Sequence, residues 1–413
     1  MTEARRWIVA CVAAGLALRV AFALLYWTGQ PLTHDEREYL ALARSLARGE
    51  GYRYPPDEPS PGTGQQFGRA PGYPAFLSTF IEPVPVDHVP SRVQVVQSAV
   101  GAVGILLIAA IAWRAAGPRS AVAAAAIAAV YPPLVWMPAY ALSEILYSTI
   151  ALAIVLVLQK GDSPLSRSAD KGTAPFFGGL LTGVAILIRP AMVFFLPFAA
   201  LWMAARKAYA GAAVFVIVAV LVVVPWTLRN HRVYGRWIAV ASEGGVTFWT
   251  GNHPLAKGDG DLAANPELKD ADLAFRAAHP GLTPEQLEPL YYRDAFAWIR
   301  AHPGAWLALT ARKAFYTVVP IGPSYAVHSA RYVAASVIAY ALVLAAAVAG
   351  ARRARGASRQ MVEPLWLMAM STIAAGLIFF PQERFRLPVI DPALIVTAAL
   401  IWSERTENRW TFS

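Results

Sequence analysis

Charge is scarce in this chain of 413 residues: only 15% is Asp, Glu, Lys or Arg, against about a quarter of an ordinary soluble domain. The charge that exists avoids runs of about 20 apolar residues, the length that crosses a bilayer. This pattern argues against a soluble enzyme, a nucleic-acid-binding protein and a disordered chain. Cysteine is nearly missing as well. Cys11 stands alone inside the first apolar run, which excludes an intrachain disulfide and any cysteine-based metal site. The seven histidines fall at no metal-ligand spacing, and there is no HExxH, no glycine-rich phosphate loop after a strand and no nucleophile elbow. No internal repeat of the kind that builds many secondary transporters is visible. No small-residue cleavage site follows Arg5-Arg6 and its apolar stretch, so this segment reads as an uncleaved first helix rather than a signal peptide.

What is present is an all-α polytopic membrane pattern. Ten apolar segments are predicted as spans: residues 7–27, 93–113, 120–137, 139–158, 175–188, 191–205, 209–228, 332–351, 364–380 and 387–402. The fifth and sixth are short and meet at Arg189-Pro190, where a break is expected. Net charge is +10, and 30 of the 36 basic residues are Arg. Fifteen of the basic residues sit in short segments that all fall on one side, among them Arg114, Arg119, Arg206, Lys207 and the cluster at 352–359. The positive-inside rule makes that side cytoplasmic, with both termini inside. The opposite side receives two long segments, 28–91 and 229–330. Amphipathic helices are expected in both, the second covering 298–317 and lying on the outer membrane surface. The chain divides accordingly into an N-terminal membrane module (1–228, including the loop 28–91), an outer segment (229–330) and C-terminal membrane helices (331–413).

The first outer loop begins Thr33-His34-Asp35-Glu36-Arg37-Glu38-Tyr39. Tyr39, Leu42 and Leu46 share one helical face, and Gly49 and Gly51 end the helix. Thr33 and Glu36 fit a capping box, which would occupy Glu36 with backbone. Asp35, in the first turn, is kept ionised by the helix dipole and stands where it can orient or deprotonate a hydroxyl. Arg69, in Gln66-Phe67-Gly68-Arg69-Ala70-Pro71-Gly72-Tyr73-Pro74, lies just before the chain returns to the membrane. Ser143-Glu144 falls inside the fourth predicted span and Arg19 inside the first, at depths of roughly 9 and 12 Å by helical rise. Buried charges at similar depth usually pair, so Arg19 and Glu144 are expected to share a polar site. Arg189, Arg229, Arg384 and Arg386 stand at the outer ends of spans, where the positive-inside bias would not put them. Four such arginines suggest an anion site, most simply a lipid phosphate. Pro381 and Pro388 bracket Arg384 and Arg386 and favour an extended or turn conformation there. Gly251-Asn252 marks a turn-rich stretch of the second outer segment.

Taken in order, Asp35-Glu36, the Arg69–Pro74 stretch, Ser143-Glu144, Ile188-Arg189-Pro190, Pro225-Trp226-Thr227-Leu228-Arg229-Asn230, Gly251-Asn252 and Arg384-Phe385-Arg386-Leu387-Pro388 resemble the GT-C superfamily of membrane glycosyltransferases. The likeness is to its bacterial branch, similar to protein O-mannosyltransferases and lipid A aminoarabinose transferases. The resemblance implies a bacterial inner-membrane enzyme, with a polyprenyl-phosphate-linked sugar as donor and inverting transfer of the sugar to an acceptor hydroxyl at the extracytoplasmic face. The acceptor is a lipid, a glycan or a protein. Asp35 corresponds to the family's first-loop acid. With Glu36 it forms the catalytic pair, and Tyr39, Arg69, Tyr73, Glu144, Arg189, Arg229, Asn252, Arg384 and Arg386 are candidate donor or substrate contacts. Tyr39, Tyr73 and Trp249 could stack on sugar. No cofactor is required, the residues demand no metal, and a divalent ion is left open. The other readings are a flippase for lipid-linked sugars and an O-antigen-ligase-like transferase using a diphosphate donor.

The charge distribution is directly testable. A reporter fused within residues 352–359 should be active only in its cytoplasmic form; an extracytoplasmic signal there would contradict the ten-span topology.

Overall fold

A computed structural model describes residues 3–55, 68–162, 168–323, 329–354 and 356–403. The stretch at 57–64, Gln66 and Phe67 of the first outer loop, and Arg167, Arg355, Arg405 and Arg409 lie outside the described residues. Among the described residues the structure is helical, without strands. The protein is a polytopic all-α membrane protein. Five helices are long and apolar enough to cross a bilayer: Glu3–Tyr26, Ser91–Ala116, Tyr209–Tyr234, Ala330–Arg353 and Ser358–Ile378. Pro118–Val130 with Pro132–Ala139 forms a sixth candidate bent by 64°, and Glu144–Gln159, Gly172–Ile188, Pro190–Ala205 and Ile390–Trp402 are shorter apolar helices. Each of the ten apolar segments is thus largely helical, and among the described residues five of these helices, or six with the bent pair, are long and apolar enough to cross a bilayer by themselves.

The chain begins with α1 (Glu3–Ala21), which runs into a π turn, and continues through α2 (His34–Ala47) and α3 (Gly72–Ser78) in the first outer loop. Then come α4 (Ser91–Ala116), α5 (Pro118–Val130), the short α6 (Pro132–Trp136), α7 (Glu144–Asp162), α8 (Ser168–Ile188), α9 (Phe195–Ala205) and α10 (Tyr209–Tyr234). Among the described residues of 229–330, four helices follow α10: α11 (Gly244–Gly251), α12 (Pro266–Ala277), α13 (Pro284–Ala301) and α14 (Pro303–Val318). The chain closes with α15 (Ala330–Arg353), α16 (Gly356–Ile378), the single turn α17 (Glu383–Arg386) and α18 (Ile390–Ala399).

Small residues set the packing. The buried face of α5 is Ser120, Ala121, Ala124, Ala125, Ala128 and Ala129, so α1, α4 and α18 approach its backbone closely, the way apolar helices associate where lipid offers no hydrophobic drive. Gly179 and Gly183 do the same between α8 and α10: a Cβ on either would lie 2.4 Å from the Phe215 carbonyl oxygen or 2.7 Å from that of Ala219. The outer face of α10 keeps Val214, Ile217, Val220 and Leu221 exposed, as a lipid-facing helix should.

Arg19 corrects an expectation. Its guanidinium does not meet Glu144. It is fully buried and donates to the carbonyls of Gly15 (2.9 Å), Ala128 (3.0 Å) and Ala129 (3.2 Å). The reason is Pro132-Pro133. In an unbroken helix those two residues would donate to Ala128 and Ala129, and proline has no N–H. Arg19 supplies the two missing donors and lets α5 bend inside an apolar bundle. Equal depth along two helices was a poor guide because it says nothing about which way each side chain points.

Two further boundaries differ from expectation. Helix α7 starts at Glu144 itself, because Pro138 and the extended Tyr140 interrupt the preceding segment. Glu144 therefore sits at a helix N-terminus and not a turn and a half inside a span. The surface helix expected over 298–317 is two helices, broken at His302 (φ −133°, ψ 56°), where Pro303 disfavours helical backbone in the residue before it.

Arg19→Met should lower the thermal unfolding midpoint of the detergent-solubilised protein, leaving two carbonyls bare at roughly 1–3 kcal/mol each. An unchanged midpoint would refute the role assigned to Arg19.

Candidate active site at one end of the bundle

Four interruptions of helix come together at one end of the bundle. Helix α4 gives the direction: Gln94 and Gln97 at its start bond the backbone of 138–140 beside the first outer loop, and Arg114 at its far end donates to the Leu156 carbonyl. The site residues gather at the Gln94 end.

Thr33 and Glu36 form the capping box at the start of α2, the Thr33 hydroxyl accepting from the Glu36 N–H and the Glu36 carboxylate accepting from the Thr33 N–H. The second Glu36 oxygen accepts from the Ala141 N–H at 2.9 Å. Both oxygens of this buried carboxylate are taken by backbone. Glu36 fastens α2 to the loop that leads into Glu144 and does not face the cluster described next.

Asp35 points the other way. One oxygen accepts from Arg69 at 2.6 Å and the other from Arg384 at 2.5 Å. Arg69 also meets Glu38, through Nε at 2.6 Å, and Glu243, through Nη1 at 3.4 Å. Arg384 lies 3.7 Å from Glu144, and Glu144 meets Arg189 at 2.9 Å. Three arginines and four carboxylates thus form one continuous network. Glu38 and Glu144 are its buried floor, whereas Asp35, Arg69, Arg189, Arg384 and Glu243 keep between 17% and 30% of their side-chain surface open. Aromatic faces back the arginines: Arg189 lies 4.5 Å over the Phe385 ring and Arg69 5.3 Å over that of Tyr39.

Local sequence explains the placement. Arg189 has extended backbone (φ −145°, ψ 109°) because Pro190 follows it, so its side chain leaves the line of α8. Arg384 and Arg386 occupy one helical turn rather than the extended turn expected from the flanking prolines, since Glu383 to Arg386 start a helix after Gln382. Two residues apart on a helix, they point in different directions. Arg384 faces Asp35. Arg386 is buried, 3.5 Å from Asp391 and 4.2 Å over the Tyr340 ring, and Tyr131 at the α5 bend donates to the same Asp391 at 2.9 Å. Arg386 is part of the bundle's framework.

Other expected contacts lie apart from the cluster. Arg229 stacks at 4.8 Å on Trp226 and donates to the Tyr52 carbonyl at 3.1 Å, holding the end of α10 to the first outer loop. Tyr73 is fully buried, its hydroxyl donating to Gln97 at 2.7 Å, with its ring edge-on to Tyr39. Trp249 is buried in the outer segment and donates to Asp294. Asn252 accepts from Trp306 at 3.0 Å and from the buried Lys313 at 3.1 Å, and donates to the Ile378 carbonyl. Lys313 also donates to the Leu377 carbonyl, so the pair serves the unpaired carbonyls at the end of α16. Gly251 beside it is compulsory, a Cβ there lying 1.9 Å from the Phe379 oxygen. Tyr39 alone of the three expected stacking aromatics borders the cluster.

Sequence reasoning missed Glu38, Glu243 and Lys313. Glu38 carried a signal: three residues after Asp35, it shares that residue's helical face. Glu243 carried none beyond standing before Gly244-Gly245.

The electrostatics divide the carboxylates. Burial works to raise the Asp35 carboxyl, but Arg69 and Arg384 outweigh it and hold Asp35 well below the usual carboxylate range. For Glu243, burial pushes the carboxyl up to about 7, with Glu38 and Asp35 adding to the effect and Arg69 opposing it. Among the described residues no group of His, Cys, Asp and Glu is arranged to hold a metal ion.

No protein-family model and no curated protein matches the chain, but solved structures share its fold. The Archaeoglobus fulgidus oligosaccharyltransferase, solved with zinc and sulfate, superposes with a TM-score of 0.55 at 15% identity, over 96% of this chain and 48% of that one. AglB from the same organism, in complex with an inhibitory peptide and a dolichol-phosphate, gives 0.55 at 15% identity over 97% and 50%. The chain has the fold of these archaeal oligosaccharyltransferase structures. A looser likeness, 0.47 at 14% identity over 96% of this chain and 76% of that one, is to ArnT from Cupriavidus metallidurans bound to undecaprenyl phosphate. The chain spans about half the length of the archaeal GT-C structures it matches.

The Asp35 pairing has a pH signature. Its folded pKa lies below its unfolded value of about 3.9, so the pairing stabilises the protein above that pH and is lost as pH falls below it. Asp35→Asn should lower the unfolding midpoint at neutral pH and flatten its decline between pH values of about 5 and 2. A decline as steep as the native protein's would show that Asp35 is not held by the two arginines.

Proposed function

We propose that the chain is a glycosyltransferase that moves a sugar from a polyprenyl-phosphate donor to an acceptor hydroxyl, with inversion, at the extracytoplasmic face of a bacterial inner membrane. The observation that carries this reading is the Asp35–Arg384–Glu144–Arg189 network. It presents two arginine forks at the open end of an apolar bundle, where a phosphate on an isoprenoid chain can reach them from between the helices. The GT-C fold supports it, and AglB was solved with a dolichol-phosphate. The topology read from basic residues, with both termini cytoplasmic, puts this end outside.

The chemistry follows from the donor. Arg384 and Arg189 bind the phosphate and stabilise the charge that grows on it as the bond from the anomeric carbon breaks. A fork pairs two phosphate oxygens at once, which lysine cannot do. Asp35, ionised and beside Arg384, accepts a hydrogen bond from the acceptor hydroxyl and aligns it behind the anomeric carbon. Tyr39 offers a ring face beside the same position.

Affinity for undecaprenyl phosphate without sugar tests the phosphate site. Arg384→Ala should weaken binding by roughly 10–150-fold, the value of a hydrogen bond to a charged group, and Arg384→Lys by less. Arg229→Ala should leave it unchanged. Unchanged affinity in Arg384→Ala with loss in Arg229→Ala would move the phosphate to the Trp226–Tyr52 corner and refute the assignment.

A further inference from the structure

Arg189 and Arg384 converge on one atom. The Arg189 Nη1 lies 2.9 Å and the Arg384 Nε 3.7 Å from the same Glu144 oxygen, Oε1. Guanidiniums drawn to one oxygen repel each other, and a single carboxylate carries too little charge to neutralise both. Asp35 balances part of the Arg384 charge. Arg189 donates besides to the Ser143 hydroxyl at 3.4 Å, a group without charge. A second neighbour is common to the two arginines. The Phe385 ring centroid is 4.5 Å from the Arg189 guanidinium carbon and 5.4 Å from that of Arg384. The face of a benzene ring is the negative side of its quadrupole, so one ring can attract both cations. The Tyr147 ring stands 6.0 Å from Arg189, at the edge of that range. Chain geometry puts Phe385 where it is. Helix α17 is a single turn, so each of its residues points about 100° on from the last. Arg384 is sent to Asp35 and Arg386 into the bundle, and Phe385 falls between them, half-buried. Phe380 stacks against Phe385, with centroids 6.1 Å apart and planes 24° from parallel. Phe380 in turn leans on Gly260, between α11 and α12, where a Cβ would run into its ring.

We propose that Phe385 is a positioning residue of the phosphate site: its ring holds the Arg189 and Arg384 guanidiniums side by side, so that both forks meet one phosphate. The proposal rests on the transferase reading above. An aliphatic side chain of similar bulk would fill the space without offering a negative face. Each arginine would then relax toward its own carboxylate, Arg384 to Asp35 and Arg189 to Glu144, and the phosphate would have to draw them back together. The free energy of that movement is subtracted from binding. A preorganised pair of cations also needs no rearrangement as charge grows on the departing phosphate. By propping the Phe385 ring, Phe380 and Gly260 link the segment between α11 and α12 to the two arginines.

The test uses the full chain in lipid nanodiscs and reads its affinity for undecaprenyl phosphate. Mono-, di- and trifluorophenylalanine, introduced at position 385 by codon suppression, keep the shape of the ring while fluorine withdraws charge from its face. Affinity should fall stepwise along this series, by roughly 5–30-fold at its end, with the thermal unfolding midpoint little changed. Phe385→Leu should lose at least as much, and Phe385→Tyr, which keeps the face, should stay close to native. In an Arg189→Ala background the fluorine dependence should shrink, because one of the two cations is gone. A role in packing alone would leave affinity flat along the series. That flat result would overturn the proposal, and so would equal losses in Phe385→Tyr and Phe385→Leu, or a loss of affinity that follows the unfolding midpoint instead of the fluorine count. Should Phe385→Leu fail to fold, the fluorinated proteins still decide. A flat series together with lost binding in Arg384→Ala would sink this inference and leave the transferase reading standing. Unchanged binding in Arg384→Ala would strike the transferase reading instead.

Discussion

The ion pair between Asp35 and Arg384 joins residues 349 positions apart, and one end of the bundle is organised around it. A charge at the edge of a bilayer is costly unless it finds a partner. The first outer loop offers carboxylates on α2, and the last helical hairpin offers arginine on α17. Arg69 of the same loop meets those carboxylates, and Arg384 joins them from the other end of the chain. Glu144 and Arg189 extend the pairing toward α7 and α8. The proposed phosphate site lies on the same pairing: Arg384 and Arg189 are each partly open while their carboxylate partner Glu144 is buried.

Helix interruptions supply the positions from which these side chains act. Arg189 leaves its helix at Pro190, Glu144 begins one after the Pro138 break, and Arg384 sits on a single turn between Pro381 and Pro388. In an apolar medium every interruption exposes backbone that must be paired. Arg19 serves the Pro132-Pro133 bend, Glu36 serves the Ala141 N–H, and Lys313 with Asn252 serves the end of α16. Much of the charge buried in this protein is therefore occupied with keeping helices broken at the right places. The proposed chemistry uses the few arginines and carboxylates left over.

This division explains how much could be read from sequence. Ten apolar segments, the break at Arg189-Pro190, the capping box at Thr33 and the helix ending near Arg48 were all legible, because composition, proline and cap residues act locally. Asp35, Arg69, Glu144, Arg189 and Arg384 were legible as charges where charge is expensive, and the structure brings these five together. Direction was not legible. Arg19 was expected to meet Glu144 and Arg229 to meet an anion, yet one serves a helix bend and the other a loop carbonyl. Arg386 differs from Arg384 by two positions and faces the opposite way, because four residues form a helical turn that flanking prolines did not announce. Glu243 was silent because only the tertiary approach of α11 to the first outer loop gives it a partner.

A structure of the protein with bound undecaprenyl phosphate tests the central claim most directly. The account predicts the phosphate within hydrogen-bond distance of the Arg384 and Arg189 guanidiniums, the isoprenoid chain running between apolar helices, and the Asp35–Arg384 pair loosened while Asp35 keeps Arg69. A phosphate seated elsewhere, with the Asp35–Arg384 and Glu144–Arg189 pairs intact and no lipid against them, would contradict it.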